Sequence, residues 1–128
     1  GLVSVVYIAE KMGASKEVIL SLAPKSVTTP IAMEVTKSLG GIPSLTAAVV
    51  VAVGLLCAIF GYRTMGIARV KHPVAQGLSM GTAAHALGTA ASMDKSQEHG
   101  AYASLGLTIN GLLTAILAPM IIPLLGIV

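Results

Sequence analysis

Residues 42–62 run for 21 positions without a charge, and that stretch limits what the chain can fold into. A helix needs about 20 predominantly apolar residues to cross the ~30 Å hydrocarbon core of a bilayer. The run follows Gly40-Gly41, holds Pro43 in its first turn, and closes on Tyr62-Arg63. An amphipathic ring followed by a cation belongs at a membrane–water interface. Residues 101–128 form a second uncharged run, with Asn110 inside and Pro119 and Pro123 towards its end. Charged residues make up only 10% of the chain, against roughly 25% in ordinary globular proteins. The expectation is an all-α integral membrane protein with several membrane-crossing helices.

The same composition excludes other classes. Disorder requires low hydrophobicity, and here 55% of residues are apolar. Cys57 is the single cysteine, so there is no disulfide framework, and mid-span it reads as an inert small residue. The net charge of +3 comes from scattered cations without a basic face, so no nucleic-acid partner is expected. His72, His85 and His99 lack metal-ligand spacing, and neither a metal nor another cofactor is expected. Gly77-Leu78-Ser79-Met80-Gly81 matches G-x-S-x-G in letters only, without a flanking strand or an acid for a triad. No enzyme is expected. Residues 1–9 are apolar, lack a basic region before them, and read as the end of a membrane helix rather than a signal peptide. The whole of 1–128 is therefore expected to be the C-terminal part of a single transmembrane domain.

Two further segments are apolar but interrupted. Residues 18–39 hold two prolines, Lys25 and Glu34, and residues 74–93 are rich in Gly, Ala, Ser and Thr. Polar residues inside a membrane are tolerated where they face a partner or a cavity. Shifting the chain by 60 residues lays 20–60 on 80–120 without a gap and with seven identities, among them Thr29 on Thr89 and Gly40 on Gly100. Lys25 falls on His85, and Glu34 on Asp94. The order of parts repeats as well: broken segment, polar turn, long span. Repeat unit one covers about 18–62 and unit two about 74–128. If each broken segment is re-entrant, each unit crosses once and the repeat is inverted, the arrangement that marks a midplane binding site in secondary transporters. If residues 74–93 span fully, the repeat is parallel.

Candidate chemistry sits at the interruptions. Pro24 breaks the helix begun by residues 18–22. Thr29-Pro30 reads as an N-cap with proline at the first helical position, restarting a helix that stops at Gly40. The free N–H groups of that helix start, the Ser26, Thr28 and Thr29 hydroxyls and the Lys25 ammonium favour an anion such as a carboxylate. The plainer reading is a Pro-punctuated loop whose lysine snorkels to water. In the second segment, Thr82, His85 and Thr89 share one helical face, beside a stripe of Gly77, Gly81, Ala84, Gly88 and Ala91 suited to close packing. His85 can donate to a carboxylate or carry a proton, or it can be a structural histidine bonding a carbonyl. Asn110 bonds a neighbouring helix or touches substrate. Glu34 and Asp94 flank polar turns at the membrane surface or form a proton or cation site.

The stretches SLAPKSVTTPIAMEV, GGIPSLTA, PVAQGLSMGTAAHALGTA and LAPMIIPLL together resemble the LrgB/CidB family from about Val18 to the C-terminus. The resemblance implies a multi-pass protein of the bacterial cytoplasmic membrane that acts with a small LrgA/CidA-type membrane partner; homo-oligomerisation is expected. It carries family motif positions onto Lys25, Ser26, Thr28, Thr29 and Pro30, and onto Gly81, Thr82, His85, Gly88 and Thr89. Plastid relatives translocate glycolate and glycerate, some bacterial relatives are linked to pyruvate, and others carry antiholin-like or autolysis labels. The leading expectation is a carrier for small monocarboxylates (glycolate, glycerate, pyruvate or lactate) held near the midplane between the two broken segments by Lys25, Ser26, Thr28, Thr29, Thr82, His85, Thr89 and Asn110. The alternative is an antiholin-like regulator of murein hydrolase export and autolysis, in which those residues only pack helices.

Overall fold

The computed structural model describes residues 2–124 and residue 126. Along them run α1 (Leu2–Lys11), α2 (Lys16–Leu22), α3 (Thr29–Leu39), α4 (Pro43–Ile67), α5 (Pro73–Lys95) and α6 (Gln97–Leu124), with no strand among the described residues. The expected all-α class holds. The last apolar run was expected to reach residue 128, but residues 125, 127 and 128 lie outside the described residues, as does Gly1. Two compact units form, one drawn from residues 1–51 and 111–128 and the other from 52–110. Each unit therefore contains one interrupted segment, the N-terminal part of the long helix that follows it, and the C-terminal part of the other long helix.

In the first unit, the Val18 N–H donates to Ser15 Oγ at 3.4 Å and caps α2. Helix α2 ends at Leu22, two residues before Pro24, whose ring and missing N–H stop helix propagation. Helix α3 then starts at Thr29 with Pro30 in its first turn, and Gly40 closes it at φ 81°. That left-handed cap is cheap for glycine and costly for a side chain. The N-cap is Thr28 rather than the expected Thr29, a one-residue shift of the kind common at helix ends. Helix α3 returns the chain to α2. Ser21 Oγ donates to the Glu17 carbonyl at 2.6 Å and accepts from the Ile42 N–H at 2.7 Å. Thr46 Oγ1 donates to the Ser21 carbonyl at 2.9 Å and lies 2.8 Å from Thr36 Oγ1. Thr46 has one hydroxyl proton, so Thr36 is the donor in the second pair. Ser21, Thr36 and Thr46 are all fully buried. Replacing Thr46 by the near-isosteric valine strands the Thr36 hydroxyl and the Ser21 carbonyl together. The expected loss is about 2 kcal/mol, read as an earlier midpoint in chemical unfolding with no loss at a Thr64→Val control, whose hydroxyl bonds are exposed.

The second unit is built around α5, which is not one straight helix. His85 sits inside it at φ 43° and ψ −129°, a conformation that costs a non-glycine residue about 1–3 kcal/mol. The break folds α5 back on itself. Lys95 Nζ donates to Gln76 Oε1 at 2.9 Å, whereas those residues would stand about 28 Å apart in an unbroken helix. Gly88 lies so close to the first arm that a Cβ there would strike the Met80 carbonyl oxygen and sit 2.5 Å from Ala84 Cβ. Helix α6 packs against the first arm through glycines: a Cβ on Gly77 would lie 2.6 Å from the His99 carbonyl, and one on Gly81 would fall on the Ala103 backbone. In both units, the interrupted segment packs against the start of the long helix that follows it. Ser21 meets Gly41, Ile42 and Thr46, while Gly81 meets Ala103 and Gly106 faces Leu78 and Thr82.

Helices α4 and α6 are long and apolar enough to cross a membrane, with mean hydropathy 2.4 and 2.0 over their most apolar windows. Only 17% and 22% of those windows is buried, unlike the core helices of a soluble protein. Leu55, Leu56, Ile59 and Phe60 on α4, and Leu112 and Ile116 on α6, are all exposed. Helix α4 also runs five residues past Tyr62 to Ile67, so Arg63 lies on a helix and the polar connection begins after it. Pro119 and Pro123 lie within α6, as prolines do in membrane helices whose freed carbonyls find other partners.

Candidate functional site

At the first break, residues 23–28 turn between α2 and α3. Ala23, Pro24 and Val27 are buried and anchor the turn, while Lys25, Ser26, Thr28 and Thr29 are half-buried. Lys25 Nζ donates to Ser26 Oγ at 3.2 Å. The Thr28 side chain makes no cap hydrogen bond. The structure thus sets an ammonium, several hydroxyls and the positive end of an eleven-residue helix in one short turn, an arrangement that suits a negatively charged group. Lys25 is also the charged member of the lining of an otherwise apolar groove of about 360 Å³ formed by Val5, Ile8, Met12, Val18 and Leu22 among others. Glu34 is exposed and lines a different groove of about 460 Å³ with Pro30, Ile31 and Pro119.

At the second break, the shared face expected for Thr82, His85 and Thr89 does not survive, because that geometry requires an unbroken helix and the backbone reverses at His85. The Thr82 hydroxyl is exposed and donates to the Leu78 carbonyl at 2.8 Å. Thr89 is buried and its hydroxyl donates to the His85 carbonyl, one turn back along the second arm, at 2.9 Å. The His85 ring is buried, at 3% exposure, against Gly54 of α4. Asn110 Nδ2 donates to the Thr82 carbonyl at 3.2 Å and ties α6 to the first arm. Lys25 and His85, matched by the 60-residue shift, therefore both sit at reversals of the chain.

Sequence reasoning missed one polar cluster. Gln76 Nε2 donates to the Val70 carbonyl at 2.7 Å, and its Oε1 accepts from Lys95. His99 Nε2 lies 3.0 Å from the same oxygen, which can only accept, so this nitrogen carries the proton. His99 Nδ1 then accepts from Ser96 Oγ at 2.7 Å. Lys95 stands 4.0 Å from the Tyr62 ring centre, and the Tyr62 hydroxyl donates to Ser92 Oγ at 2.8 Å. The cluster joins both ends of α5 to α4 and α6. Its members are 19 and 23 residues apart in sequence, and no local spacing rule links them. Asp94 is exposed beside it, and Cys57 is half-buried on α4. Among the described residues no group of three His, Cys, Asp or Glu could hold a metal ion.

Two interrupted helical segments, each docked on a long apolar helix, define the class as an all-helical protein with at least two helices fit to cross a bilayer. The sequence profile of the LrgB-like family matches residues 1–124, so the chain belongs to the LrgB-like family. A Haemophilus influenzae protein titled "Uncharacterized protein" is 45% identical over 114 residues, covering 89% of this chain and 49% of its own length. "Antiholin-like protein LrgB" of Bacillus mycoides is 38% identical over 97% of this chain and 54% of its own. The protein of that name in Bacillus cereus is 36% identical over 95% and 53%. The chain spans about half the length of the curated relatives it matches. No solved structure matches it.

Proposed function

We propose that the chain is part of a carrier for small monocarboxylates such as glycolate, glycerate, pyruvate or lactate, multi-pass in the bacterial cytoplasmic membrane. The observation that carries this reading is the first break. There Lys25, Ser26 and the α3 start at Thr28 and Thr29 gather positive potential and hydroxyl donors within an apolar unit. A carboxylate bound there accepts from the ammonium, the hydroxyls and the first N–H groups of α3. Within the second unit, His85 serves as a donor or proton carrier in the cycle, and Thr82, Thr89 and Asn110 are the polar groups of that unit available to substrate. The arms of α5, residues 73–84 and 86–95, are each about 15–18 Å long and too short to cross the ~30 Å core. That length supports a re-entrant hairpin, and with the 60-residue register it supports an inverted repeat. The protein works with a small LrgA/CidA-type membrane protein and as a homo-oligomer.

Uptake of labelled glycolate and pyruvate into proteoliposomes holding the full-length protein, with and without that partner, tests the reading. Saturable uptake that falls at least about 100-fold in Lys25→Ala is expected, since losing a charge-assisted contact of about 3 kcal/mol corresponds to that factor. Wild-type rates in Lys25→Ala remove the site. The antiholin-like names of the Bacillus relatives favour a second reading, in which the chain is a regulator of murein hydrolase export and autolysis. It predicts no uptake under any gradient from correctly folded protein, with autolysis tracking partner binding instead.

A further inference from the structure

We infer that Gly54 of α4 is the positioning residue for the His85 imidazole, an inference that rests on the proposed role of His85 in transport. Gly54 is buried in the middle of an apolar helix, where glycine is the weakest choice save proline. A Cβ at this position would lie 2.6 Å from His85 Cε1, 2.9 Å from His85 Nε2 and 3.0 Å from Leu87 Cδ1. The ring therefore occupies the space an alanine methyl would take.

Other glycines of α4 show how specific this is. Gly66 has nothing within 4 Å of its Cβ position, and Gly61 faces the Met80 thioether, the end of a side chain that shifts easily. The His85 ring has no comparable freedom. Its backbone is held at φ 43° and its carbonyl is bonded by the Thr89 hydroxyl, while Gly88 pins the second arm against Met80 and Ala84. With the backbone held at the reversal, a methyl at 54 displaces the imidazole from its seat, since the ring atoms are its nearest neighbours. A displacement of about 1 Å at a reacting group can cost 100-fold in rate. A glycine within a spanning helix thereby sets where a histidine on another element presents its nitrogens.

The test is a double-mutant cycle in the full-length protein, with Gly54→Ala, His85→Ala, the pair together and Gly66→Ala as control. Uptake is read as KM and kcat, and seating is read from the ring resonances of histidine-labelled protein. Gly54→Ala is expected to lower kcat/KM at least about tenfold and to move the His85 ring signal while leaving His72 and His99 in place. In the His85→Ala background, it is expected to change uptake less than about twofold, because coupled residues are non-additive. Gly66→Ala should match wild type. If Gly54→Ala does not assemble, the double variant should recover, since the methyl then fills space the ring has left. Additive losses, an unmoved ring signal, or a double variant that still fails to assemble would each overturn the inference. A moved ring signal alongside wild-type uptake in His85→Ala upholds the seating and removes the transport role of His85.

Discussion

Gly81→Ala is expected to destabilise the second unit by about 3 kcal/mol or more, although alanine is the better helix former. In an exposed helix, the exchange stabilises by about 1 kcal/mol. At position 81 the new methyl would fall on the Ala103 carbonyl group, with the Ala103 carbonyl carbon 2.7 Å away and Cα 2.8 Å away. These are backbone atoms of α6, so no rotamer change relieves the clash. Helix α6 must move away from α5, which separates Gly77 from His99 and Tyr102 and draws Gly106 off Leu78 and Thr82. Overpacking of a fixed core costs about 1–3 kcal/mol and occasionally more, and a backbone-to-backbone contact belongs at the upper end. The measurement is the yield of monodisperse protein and its unfolding midpoint in detergent, compared with Gly66→Ala. That control should be neutral or stabilising by up to about 1 kcal/mol, since its Cβ meets nothing. Equal behaviour of the two variants would show that α5 and α6 are not in contact at these residues.

Gln76→Leu should destabilise the same unit by about 3 kcal/mol, because one amide satisfies several partners. Its loss leaves the Val70 carbonyl without its donor, the His99 ring N–H without its acceptor, and Lys95 without its oxygen. Gln76 and His99 are each 8% exposed, so water cannot readily replace the amide. Lys95 is exposed and resolvates, so its share of the loss is small. Leucine is comparable in size and more apolar, which separates the hydrogen-bonding loss from a cavity effect. Hydrogen exchange over residues 70–80 and 92–100 should show the loss locally, with α2 and α3 protected as before. A variant as stable as wild type would mean that the cluster contributes nothing net.

The first break was largely legible in the chain: Pro24 marks its start, Thr28-Thr29-Pro30 its end and Gly40 the close of α3, each acting through local backbone chemistry. The second was legible only as an interrupted segment. Val74-Ala75-Gln76 through Ser92-Met93 contains no proline, and its Gly, Ala, Ser and Thr residues did not place the reversal at any one position. The reversal at His85 is at a residue with no local reason to take a positive φ. It is held by burial against Gly54, by the Thr89 hydroxyl on the His85 carbonyl, and by Gly88 against the first arm. For this reason the face shared by Thr82, His85 and Thr89 was legible as a pattern but wrong as geometry.

Composition and periodicity alone settled the helical class, the two long apolar helices and the places where polar residues interrupt the others, while the family was legible from motif resemblance. All of these follow from properties of contiguous segments, such as hydropathy summed over a turn or a proline's missing donor. Where α5 reverses, how closely Gly81 meets α6, and the joining of Gln76, Lys95 and His99 were decided by tertiary structure. Each depends on contacts between residues distant along the chain, where the strain at one is compensated by packing at the others.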